Sequence, residues 1–179
     1  VIFFTTASGA GYGLLTILGI CYFFQISPLS FVFGLSAIGI AVTLITMGLL
    51  SSTFHLGHPE RAWRALSQWR SSWLSREGIL AIVTYIPIVI LTTGWLFLKS
   101  ESALYVIAAL TMSMLCLLTV YATSMIYASL KTVHAWCNYW VPLVYLSIAI
   151  MTGMLLLNAL LVVFSTPLPA ITSASLVSV

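Results

Sequence analysis

Charged side chains divide the chain into four long uncharged intervals, residues 1–59, 78–98, 102–130 and 132–179, with apolar residues dominating each. A membrane-crossing helix needs ~20 mostly apolar residues. A charge at its centre costs roughly 2.5 to 3.5 kcal/mol on insertion scales. The charges therefore mark the connections, and the apolar runs between them predict spans near 3–24, 29–55, 78–98, 103–130 and 140–164. Gln25, Ser27 and Pro28 turn the chain after the first span, and residues 99–102 after the third. Pro167 and Pro169 stop the fifth, since proline interrupts a helix interior. Residues beyond Thr166 are only weakly apolar and read as a loop or the first turn of an unfinished sixth helix. The expected fold class is all-α, one polytopic transmembrane helix bundle over residues 1–179 with about five spans. A short interfacial helix is expected between spans two and three.

Composition sharpens this reading. Hydrophobic residues make up 61% of the 179 positions and charged residues 5%, with a mean hydropathy of +1.16. Soluble domains carry about 25% charged residues, so no water-facing shell can be built from this chain. The chain begins at Val1 without an initiator Met or a basic leader, so the first span is expected to be retained, and the chain to be a piece of a longer one. Cys21, Cys116 and Cys137 lie far apart, which gives neither metal-ligand spacing nor a disulfide framework. There is no internal repeat, phosphate loop or nucleic-acid-type basic stripe.

The basic residues also orient the bundle, because short cytoplasmic loops are enriched in Lys and Arg. With the N-terminus inside, Arg61, Arg64, Arg70, Arg76 and Lys131 all fall in the connections after spans two and four, against Lys99 alone on the other side. The expected location is the bacterial inner (cytoplasmic) membrane with the charged loop facing the cytoplasm. A partner docking on that loop would account for the same arginines.

Residues 55–78, HLGHPERAWRALSQWRSSWLSREG, hold six of the nine charges, two of the three histidines and three of the six tryptophans. Pro59 suits a first helical position. A helix from there sets Glu60, Arg61, Arg64 and Gln68 on one face and Trp63, Leu66 and Trp73 mostly on the other, as an interfacial helix would. His55 ends the second span, where a partly shielded imidazole can exchange a proton near neutral pH; a polar end-group is the plainer alternative. His58 reads as capping or solvated, and His134 lies in the next connection on the same side. Glu77 at the head of span three is open to two structural readings, a helix-dipole partner or an ion pair with Arg76 or Arg64. Gly9, Gly11 and Gly13 include a GxxxG spacing, which favours close helix packing over ligand contact.

Residues 33–78, FGLSAIGIAVTLITMGLLSSTFHLGHPERAWRALSQWRSSWLSREG, together with the later TVHAWCNYWVP, resemble the membrane anchor subunit of dimethyl-sulfoxide-reductase-type molybdoenzymes. The resemblance covers nearly the whole chain, and its most specific element is HLG-x-P-x-RA followed by S-x-E. Such anchors typically have about eight spans, so five suggest truncation, a remainder not included or a shortened relative. The resemblance implies a subunit with no haem or metal of its own. It holds an exchangeable quinone or quinol and docks an iron-sulfur electron-transfer subunit, which in turn contacts a molybdopterin catalytic subunit. The family's quinol-site histidine falls on His55 and its helix-leading carboxylate on Glu77, giving His55 the proton exchange and Glu77 the relay. Gly57 and Pro59 belong to the same element. By position, Arg61 and Arg64 would fix the head group or meet an acidic partner, and Trp63 and Trp73 would wall the ring.

Within the resemblance, the cytoplasmic loop leans toward the sulfite-oxidising, quinone-reducing branch. The alternative is an outward-facing sulfoxide reductase that oxidises menaquinol. A haem-bearing cytochrome b-type anchor is disfavoured because its axial ligands would have to come from His55, His58 and His134, all near one surface. A small transporter or structural module would call for charged or broken-helix features at the midplane, and no charge falls there. On this reading the chain performs no molybdenum chemistry itself and belongs to an oxidoreductase complex.

Overall fold

A lipid-embedded backbone must satisfy its own hydrogen bonds, and the described apolar segments do so as helices. The computed structural model describes residues 2–26, 30–54, 67–98, 102–130, 136 and 138–164. Five helices, each long and apolar enough to cross a membrane, are α1 (Ile2–Phe23), α2 (Phe31–Phe54), α3 (Trp73–Thr92), α4 (Ala103–Ala128) and α5 (Trp140–Val163). A π-helical segment, Thr93–Leu98, continues α3. No strand occurs among the described residues. Hydroxyls inside the spans fold back on the preceding turn, as Thr16 does to the Tyr12 carbonyl at 2.8 Å and Thr84 to the Leu80 carbonyl at 2.7 Å. Each such bond lets a polar residue sit in an apolar span at little cost.

The centre of the bundle is α1, which packs on α2, α4 and α5, while α3 lies chiefly against α4. Its glycines explain how one helix approaches three neighbours. A Cβ at Gly11 would meet the Ala41 carbonyl oxygen of α2 at 2.8 Å; one at Gly13 would run into the backbone of Ala149 on α5; one at Gly19 would press on Ser113 and the Ala109 carbonyl of α4. The Ser113 hydroxyl also bonds across to the Thr16 carbonyl at 3.1 Å. Small residues at crossings are how membrane helices gain contact without a hydrophobic driving force between them. The packing expected for these glycines is thus present at Gly11 and Gly13. A Cβ on Gly9 would meet nothing within 4 Å.

Cross-contacts fix which helix ends lie together. Phe33 near the start of α2 meets Phe164 just past α5 with ring centroids 5.9 Å apart. At the opposite end, Trp73 of α3 meets Tyr121 of α4, and Tyr127 of α4 stacks on Tyr145 of α5. The end of α2 and of α4 and the start of α1, α3 and α5 therefore share one end, called here the loop end.

Two boundaries differ from the sequence expectation. Span three begins at Trp73 rather than at residue 78, because Ser72 takes an extended N-cap conformation (φ −111°, ψ 125°) and the helix starts directly after it. Arg76 and Glu77 consequently lie inside the span. The third span also ends in a π-helical segment rather than a continuous α-helix, where Gly94 lies so close to the Tyr105 ring that a Cβ would collide with it. Of the expected interfacial helix, residues 59–66 lie outside the described residues; Ser67 and Gln68 form a short 3₁₀ segment that leads into a turn.

Candidate functional site

Along α3 the buried positions Glu77, Ala81, Thr84, Ile88 and Leu91 recur at helical spacing and face α4. Glu77 is on that packing face, 4% exposed, on the second turn of the helix. A buried carboxyl needs a partner, and Thr123 on the facing helix supplies it: its hydroxyl donates to Oε1 of Glu77 at 2.5 Å. The same hydroxyl reaches the Thr119 carbonyl at 3.0 Å. Thr123 has one proton to give. With Glu77 ionised, that proton goes to the carboxylate; with Glu77 protonated, the acid can donate to the Thr123 oxygen while Thr123 donates to Thr119. The pair accommodates both states without rearranging.

The helix-dipole reading and the pairing with Arg76 do not describe this position; Arg64, the other partner considered, lies outside the described residues. The first turn of α3 holds no acidic residue, and among the described residues no cation pairs with the carboxyl. Arg76 turns the other way: its guanidinium donates to the carbonyls of Trp69 and Arg70, at 2.9 and 2.8 Å, and lies 4.4 Å over the Trp73 ring. A long stem and an outward head is the usual way for arginine at a span end to reach the polar boundary.

Beside the Glu77–Thr123 pair is a cavity of about 230 Å³ between α1, α4 and α5. Ser8 and Tyr12 of α1, Val120 and Thr123 of α4, and Tyr145 and Thr152 of α5 contribute to its walls. Tyr12 is 2% exposed and its hydroxyl has no hydrogen-bond partner among the described residues. Tyr127 and Tyr145 stack at 5.7 Å, and Trp136 meets Tyr127 edge-on at 5.5 Å, forming an aromatic rim at the loop end.

Of the residues assigned to the site from sequence, the structure describes Glu77 and Trp73. Glu77 borders the cavity through Thr123, whereas Trp73 is engaged by Tyr121 and Arg76 and does not line it. His55, Gly57, Pro59, Arg61, Trp63 and Arg64, like His58 and His134, lie outside the described residues. Among the described residues no three His, Cys, Asp or Glu side chains cluster. Sequence reasoning missed Tyr12, Thr123 and Tyr145, which come from three different helices. The signal open to it was a tyrosine or threonine in the loop-side half of an otherwise apolar span.

A family model described as DMSO reductase anchor subunit matches residues 1–179. The chain is also 37% identical over 155 residues to a sulfite dehydrogenase subunit of Allochromatium vinosum, a match covering 76% of this chain and 46% of that relative. The chain thus spans about half the length of the curated relative it matches. No solved structure matches.

Proposed function

The chain belongs to the DMSO reductase anchor subunit family, and from that premise we propose that it is the quinone-exchanging membrane subunit of a molybdopterin oxidoreductase. It is a multi-pass membrane protein. In the proposed complex its loop end holds an iron-sulfur subunit, which in turn carries the molybdopterin catalytic subunit. The observation carrying the proposal is Glu77: an ionisable group buried in a span, hydrogen-bonded so that it can hold or release a proton, beside a cavity between the helices. Ionisable residues at such depth mark proton and substrate paths.

The relative's name, which makes it part of a sulfite dehydrogenase, supports the direction of flow. Sulfite and water would yield sulfate, two protons and two electrons at the catalytic subunit; the electrons would pass through iron-sulfur clusters to a quinone, which takes up two protons to become quinol. This chain would supply those protons, with His55 as the exchanging group and Glu77 as the relay. Gly57, Pro59, Arg61, Trp63 and Arg64 complete the proposed surroundings.

The experiment is purification through an affinity tag on this chain from its own membranes. Iron-sulfur and molybdopterin subunits should co-purify, and the preparation should reduce decylubiquinone or menadione with sulfite. A preparation without such partners, or one showing a haem Soret band, would overturn the proposal. The proposed cytoplasmic side of the loop end has its own check. A cysteine replacing the exposed Gln68 should resist an impermeant maleimide added to intact cells and label after lysis. Ready labelling from outside would reverse the orientation.

A further inference from the structure

We propose that Thr123 is the positioning residue of the Glu77 proton relay: its hydroxyl fixes the carboxyl in place and gives it a partner in both protonation states. This rests on the quinone-exchanging reading and adds to it a residue from a different helix. Thr123 and Glu77 are both buried, and they meet where α3 packs on α4. The Thr123 hydroxyl reaches Oε1 of Glu77 at 2.5 Å and the Thr119 carbonyl at 3.0 Å. Threonine in a helix divides between two χ1 rotamers because its Oγ1 can bond a carbonyl one turn back. At Thr123 the Thr119 carbonyl, four residues back on α4, selects the rotamer. That same rotamer aims Oγ1 at Glu77.

The kind of partner decides what a buried carboxyl can do. An arginine or lysine in contact would hold it ionised. A wholly apolar surrounding would hold it protonated, because an unpaired charge is too costly inside a span. A backbone N–H only donates and so suits the ionised form alone. A hydroxyl donates and accepts, so it favours neither state to the exclusion of the other. When Glu77 takes up a proton, the Thr123 hydrogen can rotate to the Thr119 carbonyl while its oxygen accepts from the acid; when Glu77 releases the proton, the rotation reverses. No heavy atom has to move. By contrast, the hydroxyls of Thr84 and Thr119 donate to the carbonyls of Leu80 and Leu115 on their own helices, at 2.7 Å each. That use satisfies a polar group within a span, whereas the Thr123 hydroxyl also joins two helices at an ionisable group.

A double-mutant cycle in the tagged whole complex separates this role from helix packing, with decylubiquinone reporting quinone-linked turnover and a soluble dye reporting the catalytic subunit alone. Valine has the shape of threonine without the hydroxyl. Thr123→Val should lower quinone-linked kcat about 10- to 100-fold, the contribution of a hydrogen bond to a charged group, and leave dye-linked turnover parental. KM for decylubiquinone should stay within about twofold, because Thr123 acts through Glu77 and not on the quinone. Thr123→Ser, which keeps the hydroxyl, should hold kcat to within about threefold of parental. In a Glu77→Gln background, Thr123→Val should change the residual kcat by less than about twofold, since residues that act as one unit are not additive. Parental kcat in Thr123→Val, or an equal loss in both backgrounds, would overturn the inference and leave the quinone-exchanging reading intact. Should the valine variant fail to assemble, Thr123→Cys, which keeps a weak donor of similar size, carries the same test: a loss of about threefold or more is expected, and parental kcat overturns the inference. A parental complex that exchanges electrons with no quinone would overturn that reading, and this inference with it.

Discussion

A complex carrying Glu77→Gln assembles in the membrane at the parental level and loses roughly 100- to 10,000-fold in quinone-linked turnover, the range a positioned acid or base contributes. Glutamine has the shape of glutamate, and its amide oxygen still accepts from the Thr123 hydroxyl that now meets Oε1. Ala81 and Thr84, buried on the same helix, are untouched. What is lost is the ability to take up and release a proton. Reduction of the complex by sulfite with a soluble dye as electron acceptor bypasses the membrane subunit and should continue. Retention of quinone-linked turnover within about twofold would show that Glu77 only ties α3 to α4. His55→Ala should give a loss of the same order, because the two residues are proposed to work in series. If the Glu77 variant is impaired and the His55 variant is not, protons reach the ring by another route past Glu77.

How far the sequence revealed this arrangement depended on which forces act locally. The number of spans was legible, because a membrane-length apolar run has few alternatives to a helix. The start of α3 was not. Charges were read as loop markers, yet Arg76 and Glu77 both lie inside the span, each satisfied by a group the sequence does not place beside it. Arg76 is held by the Trp69 and Arg70 carbonyls, and Glu77 by a threonine 46 residues away. The π-helical end of α3 contains Gly94, which fits against Tyr105 across the following turn, a contact no local pattern announces. Glu77 was legible as a residue of interest from its place after the charged segment. Tyr12 was not, since a tyrosine in an apolar span gives no sign of its neighbours until three helices are docked.

The glycines of α1 show the same division. Their small size predicts packing, but not that Gly11, Gly13 and Gly19 serve α2, α5 and α4 in turn while Gly9 borders open space. The GxxxG spacing puts Gly9 and Gly13 on one face. Only Gly13 is at the crossing, and the divergence of α1 from α5 beyond it gives the cavity its room.

Gly13→Leu should therefore prevent stable folding rather than tune it. A Cβ at Gly13 would overlap the carbonyl of Ala149, and the opposing Gly153 lies close enough that its own Cβ would strike the Gly13 backbone and approach the Leu14 nitrogen at 2.5 Å. Both obstacles are backbone, which cannot rotate aside as a side chain does, so α1 and α5 must separate along their whole contact. Overpacking a core typically costs about 1 to 3 kcal/mol. This case lies at or above the upper end, because α1 also holds α2 and α4 and tilting it disturbs both. Gly39→Leu is the control: it is a glycine within the α2 span, whose Cβ would meet nothing within 4 Å. Fluorescence-detected size-exclusion of tagged, detergent-solubilised protein should show Gly39→Leu as a single parental peak and Gly13→Leu as aggregate or absent. A Gly13→Leu protein with the parental peak and thermal midpoint would mean that α1 and α5 do not cross at this glycine pair, and the cavity that opens beyond the crossing would lose its structural basis.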